Sequence, residues 1–134
     1  VETMVAELAY ARTAHKQARQ AEGTQAALDI VEEAILAVER ALDEGRRIGV
    51  DEVAERLYTS RSKLCATFKV QTGESLGSYM RRHRMERAQD LLADSPLSIA
   101  QVAERLGYPQ QAAFAQAFKQ YTGMTPTAWR SKHR

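Results

Sequence analysis

The sequence predicts an all-α fold with a duplicated half, and three observations predict it. Apolar residues recur at three- and four-residue spacings along most of the chain, which is the period of a helix with one buried face. The 134 residues include 7 Gly and 3 Pro, too few turn-formers for a fold of many short strands. The block Val53-Ala54-Glu55-Arg56-Leu57 returns unchanged as Val102-Ala103-Glu104-Arg105-Leu106, 49 positions on. With 44% hydrophobic and 27% charged residues, the chain has the composition of a folded domain.

Taken in order, residues 1–22 carry apolar side chains at Val1, Met4, Leu8 and Ala11. This heptad-like spacing runs on through His15 to Ala18 and predicts a helix with a narrow stripe. Gly23-Thr24 is expected to break it, with Thr24 capping the next helix. Residues 25–44 read as a stronger amphipathic helix, with Leu28, Val31, Ile35, Val38 and Leu42 on one side and Asp29, Glu32, Glu33, Glu39 and Arg40 mostly elsewhere. Gly45 ends it, just before Arg46-Arg47.

From residue 48 each copy reads as two helices joined by a tight turn, then the start of a third. Phe68-Lys69 recurs as Phe118-Lys119 and Thr72-Gly73 as Thr122-Gly123, now 50 positions apart, so one residue has entered the second copy's turn. Two copies make a duplication rather than a solenoid, which needs about three repeats or more. Ser98 with Gln101 forms a capping box at the start of the second copy. Gly107 suits a left-handed turn residue, and Pro109 the first position of the helix that follows. Tyr58-Thr59-Ser60 does this work in the first copy, with Ser60 as the cap. Leu64 and Phe68, or Phe114 and Phe118, are i,i+4 pairs that mark the buried side of each second helix. Gly73 and Gly123 close these helices, and Ser75 or Thr125-Pro126 opens the third.

Residues 76–93 predict one long helix, its buried stripe drawn from Leu76, Tyr79, Met80, Met85, Ala88, Leu91 and Leu92. It would span roughly 27 Å. The resulting division is an N-terminal connector helix 1–23, a first helix-turn-helix unit 24–74, a linker helix 75–94 and a second unit 95–134.

Charge divides unevenly over this plan. The formal net charge of +2 combines −5 over residues 1–45 with +7 over residues 46–134. A basic segment beside an acidic one suits a nucleic-acid binder with a non-binding face. The one cysteine, Cys65, rules out an internal disulfide framework and a multi-cysteine zinc site. His15, His83 and His133 are too scattered for a local metal motif. No phosphate-binding glycine loop and no nucleophile with a base in sequence reach is present, so an enzyme is not expected. No apolar run approaches the roughly 18 residues of a membrane span, and no leader is visible. These features set the expectation of a cytoplasmic protein without a membrane partner. The chain opens at Val1 with no initiator methionine, as a piece of a longer protein would.

The ordered residues resemble the DNA-binding part of the AraC/XylS family of bacterial transcription regulators. The resemblance rests on Arg84-Met85-Glu86-Arg87-Ala88-Gln89-Asp90-Leu91-Leu92, Ile99 to Ala103, and Gly107-Tyr108. It continues through Phe114, Ala117-Phe118-Lys119, Gly123, and Thr125-Pro126 to Trp129-Arg130. It covers about residues 25–133 and implies two helix-turn-helix units joined by a long helix. The implied function is sequence-specific binding of double-stranded DNA. Recognition helices near residues 61–72 and 109–121 would enter successive major grooves, which lie about 34 Å apart on one face.

By this resemblance Ser62, Cys65 and Ala66 occupy base-contact positions in the first copy. They are small where the family often places a long polar or aromatic side chain, so the first copy is expected to give mainly affinity. In the second copy the equivalent face offers Gln110, Gln111, Ala112, Ala115 and Gln116. Glutamine can bond adenine through two hydrogen bonds and alanine can meet a thymine methyl, so more of the discrimination is expected here. Phosphate contacts are expected from Ser60, Arg61, Lys63, Arg81, Arg82, Pro109, Lys119 and Arg130, with the helix N-termini at Ser60 and Tyr108-Pro109 donating backbone N–H groups. No metal or cofactor is implied. The partners implied are promoter or operator DNA, RNA polymerase, and a second copy through the N-terminal region or an upstream domain. When bound to DNA the protein would be nucleoid-associated. The competing class is a helical protein-interaction module, whose acidic N-terminal half docks a partner or polymerase without reading DNA.

Overall fold

The computed structural model describes the backbone of residues 2–134 and the side chains from residue 23 onward. These residues form seven helices and no strand: α1 Glu2–Asp43, α2 Val50–Arg56, α3 Arg61–Thr72, α4 Leu76–Asp94, α5 Ile99–Arg105, α6 Gln111–Thr122 and α7 Pro126–His133. The all-α expectation holds.

Helix α1 corrects one expectation. It runs unbroken through Gly23 and Thr24, so the division at 23/24 falls inside a helix and Thr24 is not its cap. One interior glycine costs a helix only about 1 kcal/mol relative to alanine, and with no proline nearby the turns on both sides carry the backbone across. The heptad positions from Val1 to Ala18 lie outside the residues whose side chains are described.

The two copies share their construction. Helices α2 and α5 end at Leu57 and Leu106, and in each the next residue lies in the left-handed region, Tyr58 at φ 53° and Gly107 at φ 81°. The same backbone bonds close both turns: Thr59 N–H donates to the Ala54 carbonyl, and Tyr108 N–H to that of Ala103. The caps then fall at Ser60 and Gln110, which identifies Pro109 as the inserted residue. Pro109 therefore precedes the cap and does not start α6, contrary to expectation. For it to do so Tyr108 would have to be the cap, and Tyr108 is instead folded into the core at 9% exposure.

The remaining caps follow the sequence. Ser60, Ser75 and Thr125 each accept a hydrogen bond from the backbone N–H three residues on, and Ser98 with Gln101 completes the capping box. Thr72 and Thr122 both bond back to the carbonyl four residues earlier and brace the next loop.

The core follows the duplication. Leu64 and Phe68 of α3 are fully buried beside α1, α2 and α4, which contribute Val31, Ala34, Val38, Val53, Ala54, Leu76, Tyr79 and Met80. Phe114 and Phe118 of α6 are buried with Val102, Ala103 and Leu106, over the far end of α4 at Met85, Ala88 and Leu92. Helix α4 thus closes the first copy and founds the second. Leu91, expected in its buried stripe, is only half-buried. The ring contacts repeat as well. Phe68 meets Tyr79 at 5.5 Å and Tyr79 stacks on His83, while Phe118 meets Trp129 at 6.0 Å and Trp129 stacks on His133. An ion pair between Arg87 and Asp43, at 2.7 Å, ties α4 to the end of α1.

Candidate nucleic-acid interface

Helices α3 and α6 present the same shape to solvent. Counted from the first residue of each, the fourth and eighth are buried, the fifth and seventh half-buried, and the first three, sixth, ninth and tenth exposed. The burial of Leu64 and Phe68, or of Phe114 and Phe118, turns one side inward and leaves the other clear. Neither helix carries Asp or Glu.

Side-chain chemistry separates them. The outward side of α3 shows Arg61, Ser62, Lys63, Ala66, Lys69 and Val70, with Cys65 half-buried at its edge as a free thiol. The outward side of α6 shows Gln111, Ala112, Gln116, Lys119 and Gln120, with Ala115 at the position of Cys65. Gln110 is exposed at the cap of α6 and its side chain makes no capping bond. The first-turn N–H groups of α6 are left uncapped by it, whereas Ser60 Oγ accepts from Lys63 N–H at the start of α3. The structure therefore brings the expected base-facing residues onto the two exposed helix sides in two sets. Val70 and Gln120 stand beside them and were not singled out from the sequence; their exposure follows once the buried pairs fix the helix rotation.

The expected phosphate-facing residues divide into two groups. Ser60, Lys63, Arg81, Pro109 and Lys119 are exposed. Arg61 is exposed too, and is held by Asp51 of α2 at 3.2 Å from both carboxylate oxygens. Such an open pair contributes little and exchanges partners easily. Arg82 and Arg130 are engaged within the fold. Arg82 bonds both carboxylate oxygens of Glu74 and also Glu86. That bonding holds the Glu74 carboxyl below its ordinary value, with the Arg82 charge adding to it, and raises the Arg82 guanidinium further. Arg130 donates through Nε to the Leu92 carbonyl at 2.9 Å and so fastens α7 to the end of α4. Burial, and then the neighbouring Arg134 charge, push its guanidinium below the usual range. No local pattern marks these roles, since Glu74 lies eight residues from Arg82 and Leu92 lies 38 from Arg130.

Among the described residues no group of His, Cys, Asp or Glu is placed to hold a metal ion, and no helix is long and apolar enough to cross a membrane.

Comparison with known proteins agrees with this geometry. A helix-turn-helix domain family matches residues 53–132. The Msm operon regulatory protein of Streptococcus mutans is 36% identical over 88 residues, which are 66% of this chain and 32% of that protein. The transcriptional activator RhaR of Salmonella schwarzengrund is 32% identical over 101 residues, 75% of this chain and 35% of its own. The chain thus spans about a third of the length of these relatives. Among solved structures, the C-terminal domain of AraT, a response regulator from Geobacillus stearothermophilus, superposes with a TM-score of 0.72 at 32% identity, covering 77% of this chain and 84% of that one. The DNA-binding domain of AdpA, a global transcriptional factor solved with a target DNA, gives 0.67 at 29% identity, covering 76% and 93%. A duplicated helix-turn-helix with two exposed second helices, found again in relatives of this kind, places the chain in the AraC-type helix-turn-helix family of DNA-binding transcription regulators.

Proposed function

We propose that α3 and α6 are paired reading helices that enter successive major grooves on one face of a duplex, with α4 as the rigid spacer between them. The observation that carries this is the match of burial along α3 and α6, which clears the same side of each helix and leaves it free of carboxylates. The units of the reading are residues 24–74 and 95–134, joined by 75–94.

The two helices divide the work. Helix α3 gives mainly affinity, with Arg61, Lys63 and Lys69 drawn to phosphates and the small Ser62, Cys65 and Ala66 at base-contact positions where they allow close approach or meet a thymine methyl. Helix α6, with Gln110, Gln111 and Gln116 around Ala112 and Ala115, offers bidentate amides and methyl contacts that distinguish A·T pairs. Arg81, Lys119 and the uncapped N-terminus of α6 complete the phosphate set with Ser60 and Pro109.

Selection of bound duplexes from random DNA, followed by titration, tests the reading. The expected product is two preferred segments about one helical turn apart, with affinity falling steeply as salt rises. Gln111→Ala or Gln116→Ala should then cost about 1–3 kcal/mol on the selected duplex and relax one base position. Equal losses on selected and random DNA would remove those residues from base reading.

In the longer protein that the relatives' lengths suggest, a signal-sensing part, contact with RNA polymerase and pairing through the N-terminal region belong to the same proposal. So does a cytoplasmic, nucleoid-associated location.

A further inference from the structure

We propose that Arg47, together with Arg84, locks the two copies in one relative position through Tyr108, and so sets which spacing between DNA segments the chain accepts. The inference rests on the reading that both copies bind DNA together. Arg47 and Arg84 act here as positioning residues, at the joint between the copies rather than at the duplex.

The joint is made by two chain turns facing each other. The loop after α1, residues 44–49, lies against the turn between α5 and α6. Gly45 and Gly107 both sit in the left-handed region, at φ 72° and 81°, and each looks onto the other copy. A Cβ at Gly107 would stand 2.7 Å from Arg47 Cγ and 3.0 Å from the Arg47 backbone N. A Cβ at Gly45 would stand 3.3 Å from the Arg105 carbonyl oxygen. At Gly107 the approach is closer than a Cβ would allow without a shift, and at Gly45 it is tight, in addition to the backbone conformation that already favours glycine at both.

Tyr108 is the latch. Its ring is 9% exposed and lies against Phe114 at 5.5 Å, so it moves with the core of the second copy. Arg47, from the first copy's loop, sets its guanidinium carbon 5.0 Å from the ring centre, and Arg84 of α4 sets its own at 5.8 Å. A cation over an aromatic face is attracted by the ring's quadrupole, more strongly as water is removed. Here water is partly removed: Arg84 Nε is buried without a hydrogen-bond partner.

The latch sits beside the close turn-to-turn approach at Gly45 and Gly107. Beside the latch is an open cleft of about 360 Å³, which separates Ile48 and Val50 of the first copy from Ala117 of the second above Met80 of α4. The relative position of the copies is then set by α4 and its shared core, by the turn packing at Gly45 and Gly107, and by the Arg47–Tyr108–Arg84 contact, which is the part made by side chains that can be removed one at a time. Loosening the contact would leave each copy folded and still able to bind its own segment, while the angle between α3 and α6 became less defined.

The experiment uses the 134-residue chain, its selected two-segment duplex, and the same duplex with one or with five base pairs inserted between the segments. Five base pairs are about half a helical turn and turn the second segment away, which gives a one-segment baseline. The unaltered chain should lose about a hundredfold with one inserted pair, because linked binding is lost when the geometry forbids it. Arg47→Ala should lose about three- to tenfold on the original spacing, and clearly less than the unaltered chain on the insertion. Its salt dependence and its affinity for the five-pair duplex should not change. Arg47→Lys, which keeps a cation but not the planar guanidinium, should fall between the unaltered chain and Arg47→Ala in its spacing penalty, and melting curves of both variants should show folded protein.

Three results would overturn the lock. One is a spacing penalty in Arg47→Ala equal to that of the unaltered chain. Another is a shallower salt dependence in Arg47→Ala that Arg47→Lys restores, which would make Arg47 a phosphate contact. The third is indifference of the unaltered chain itself to both insertions, which would remove the paired-reading premise and the lock with it.

Discussion

Helices α3 and α6 bury the same positions and expose different chemistry, and the contrast separates what the fold requires from what recognition requires. At the fourth and eighth residues the fold asks for bulk, and either Leu64 with Phe68 or Phe114 with Phe118 supplies it. On the other side the two helices share only the lysine pair Lys69 and Lys119. Three cations lie on α3 and one on α6, while glutamines gather on α6. A duplicated scaffold has kept its core and diverged where it meets solvent.

The largest test of this contrast is made inside the cores. Phe68 and Phe118 are both fully buried, yet their surroundings differ. Phe118 is third in a chain of rings, Tyr108 to Phe114 to Phe118 to Trp129, with spacings of 5.5, 5.7 and 6.0 Å. The first copy has Thr59 and Leu64 in place of Tyr108 and Phe114, and Phe68 keeps its contact with Tyr79. Each Phe→Ala change should cost about 3–5 kcal/mol, and Phe118→Ala the more of the two, by roughly the 0.5–1.5 kcal/mol that an aromatic pair adds beyond buried area. Urea unfolding measures both. A larger loss from Phe68→Ala would mean that the ring chain adds nothing to the second copy.

A smaller effect is expected at the two turns. Tyr58 and Gly107 share a left-handed backbone and bonding pattern, but Tyr58 is 98% exposed while Gly107 lies under Arg47. The left-handed conformation costs an L-residue about 1–2 kcal/mol, and the exposed Tyr58 side chain has little packing to offset it. Tyr58→Gly should raise stability by up to about 1 kcal/mol, once the added freedom of the unfolded chain is deducted. Gly107→Ala should lower stability by at least the backbone cost of about 1–2 kcal/mol, with the clash against Arg47 added. Thermal melts of the pair check both signs. Opposite signs would establish that the same turn is strained in one copy and closely packed in the other.

How much of this could be read beforehand follows from the range of each signal. The helices, caps and buried pairs are local: Ser98-x-x-Gln101, the glycine after each second helix and the i,i+4 apolar pairs act within a turn or two of chain. The doubled Val-Ala-Glu-Arg-Leu block then placed α3 and α6 in equivalent settings, and their exposed sides followed. What escaped was the work of side chains that reach across the fold. Arg82 and Arg130 look like any exposed arginine in sequence, and their partners Glu74 and Leu92 belong to other elements or turns. Arg47 and Tyr108 lie 61 positions apart, and only the folded chain sets one over the other. The continuity of α1 escaped for a different reason: a single glycine is a weak break that its neighbours can override. Pro109 stands before the cap and not after it, a distinction the local sequence does not carry because prolines favour both places.

The smallest effect turns on a carboxylate that only the first copy possesses. Glu74 follows Gly73 at the position that Met124 takes after Gly123, and it holds Arg82 out of the group of cations available to DNA. Replacing it, Glu74→Gln, removes one negative charge near α3 and leaves Arg82 held mainly by the open pair with Glu86, which yields more easily to a phosphate. The expected result is tighter binding by a few-fold, equal on selected and random DNA, with a steeper salt dependence. Acid should do part of the same work, and the sign is fixed by the direction of the shift. Because Arg82 keeps the Glu74 carboxyl below its ordinary 4.5, the stabilisation from the pair is fully present above that ordinary value and is lost as pH falls through the lowered one. Between pH 6 and 8 the pair should not respond. Unfolding curves of the unaltered chain and of Glu74→Gln should therefore differ by a constant amount near neutrality and draw together below pH 4.5. A gap that stays constant through acid would show that Glu74 acts through its shape, and that the first copy's surplus of cations owes nothing to the carboxylate beside it.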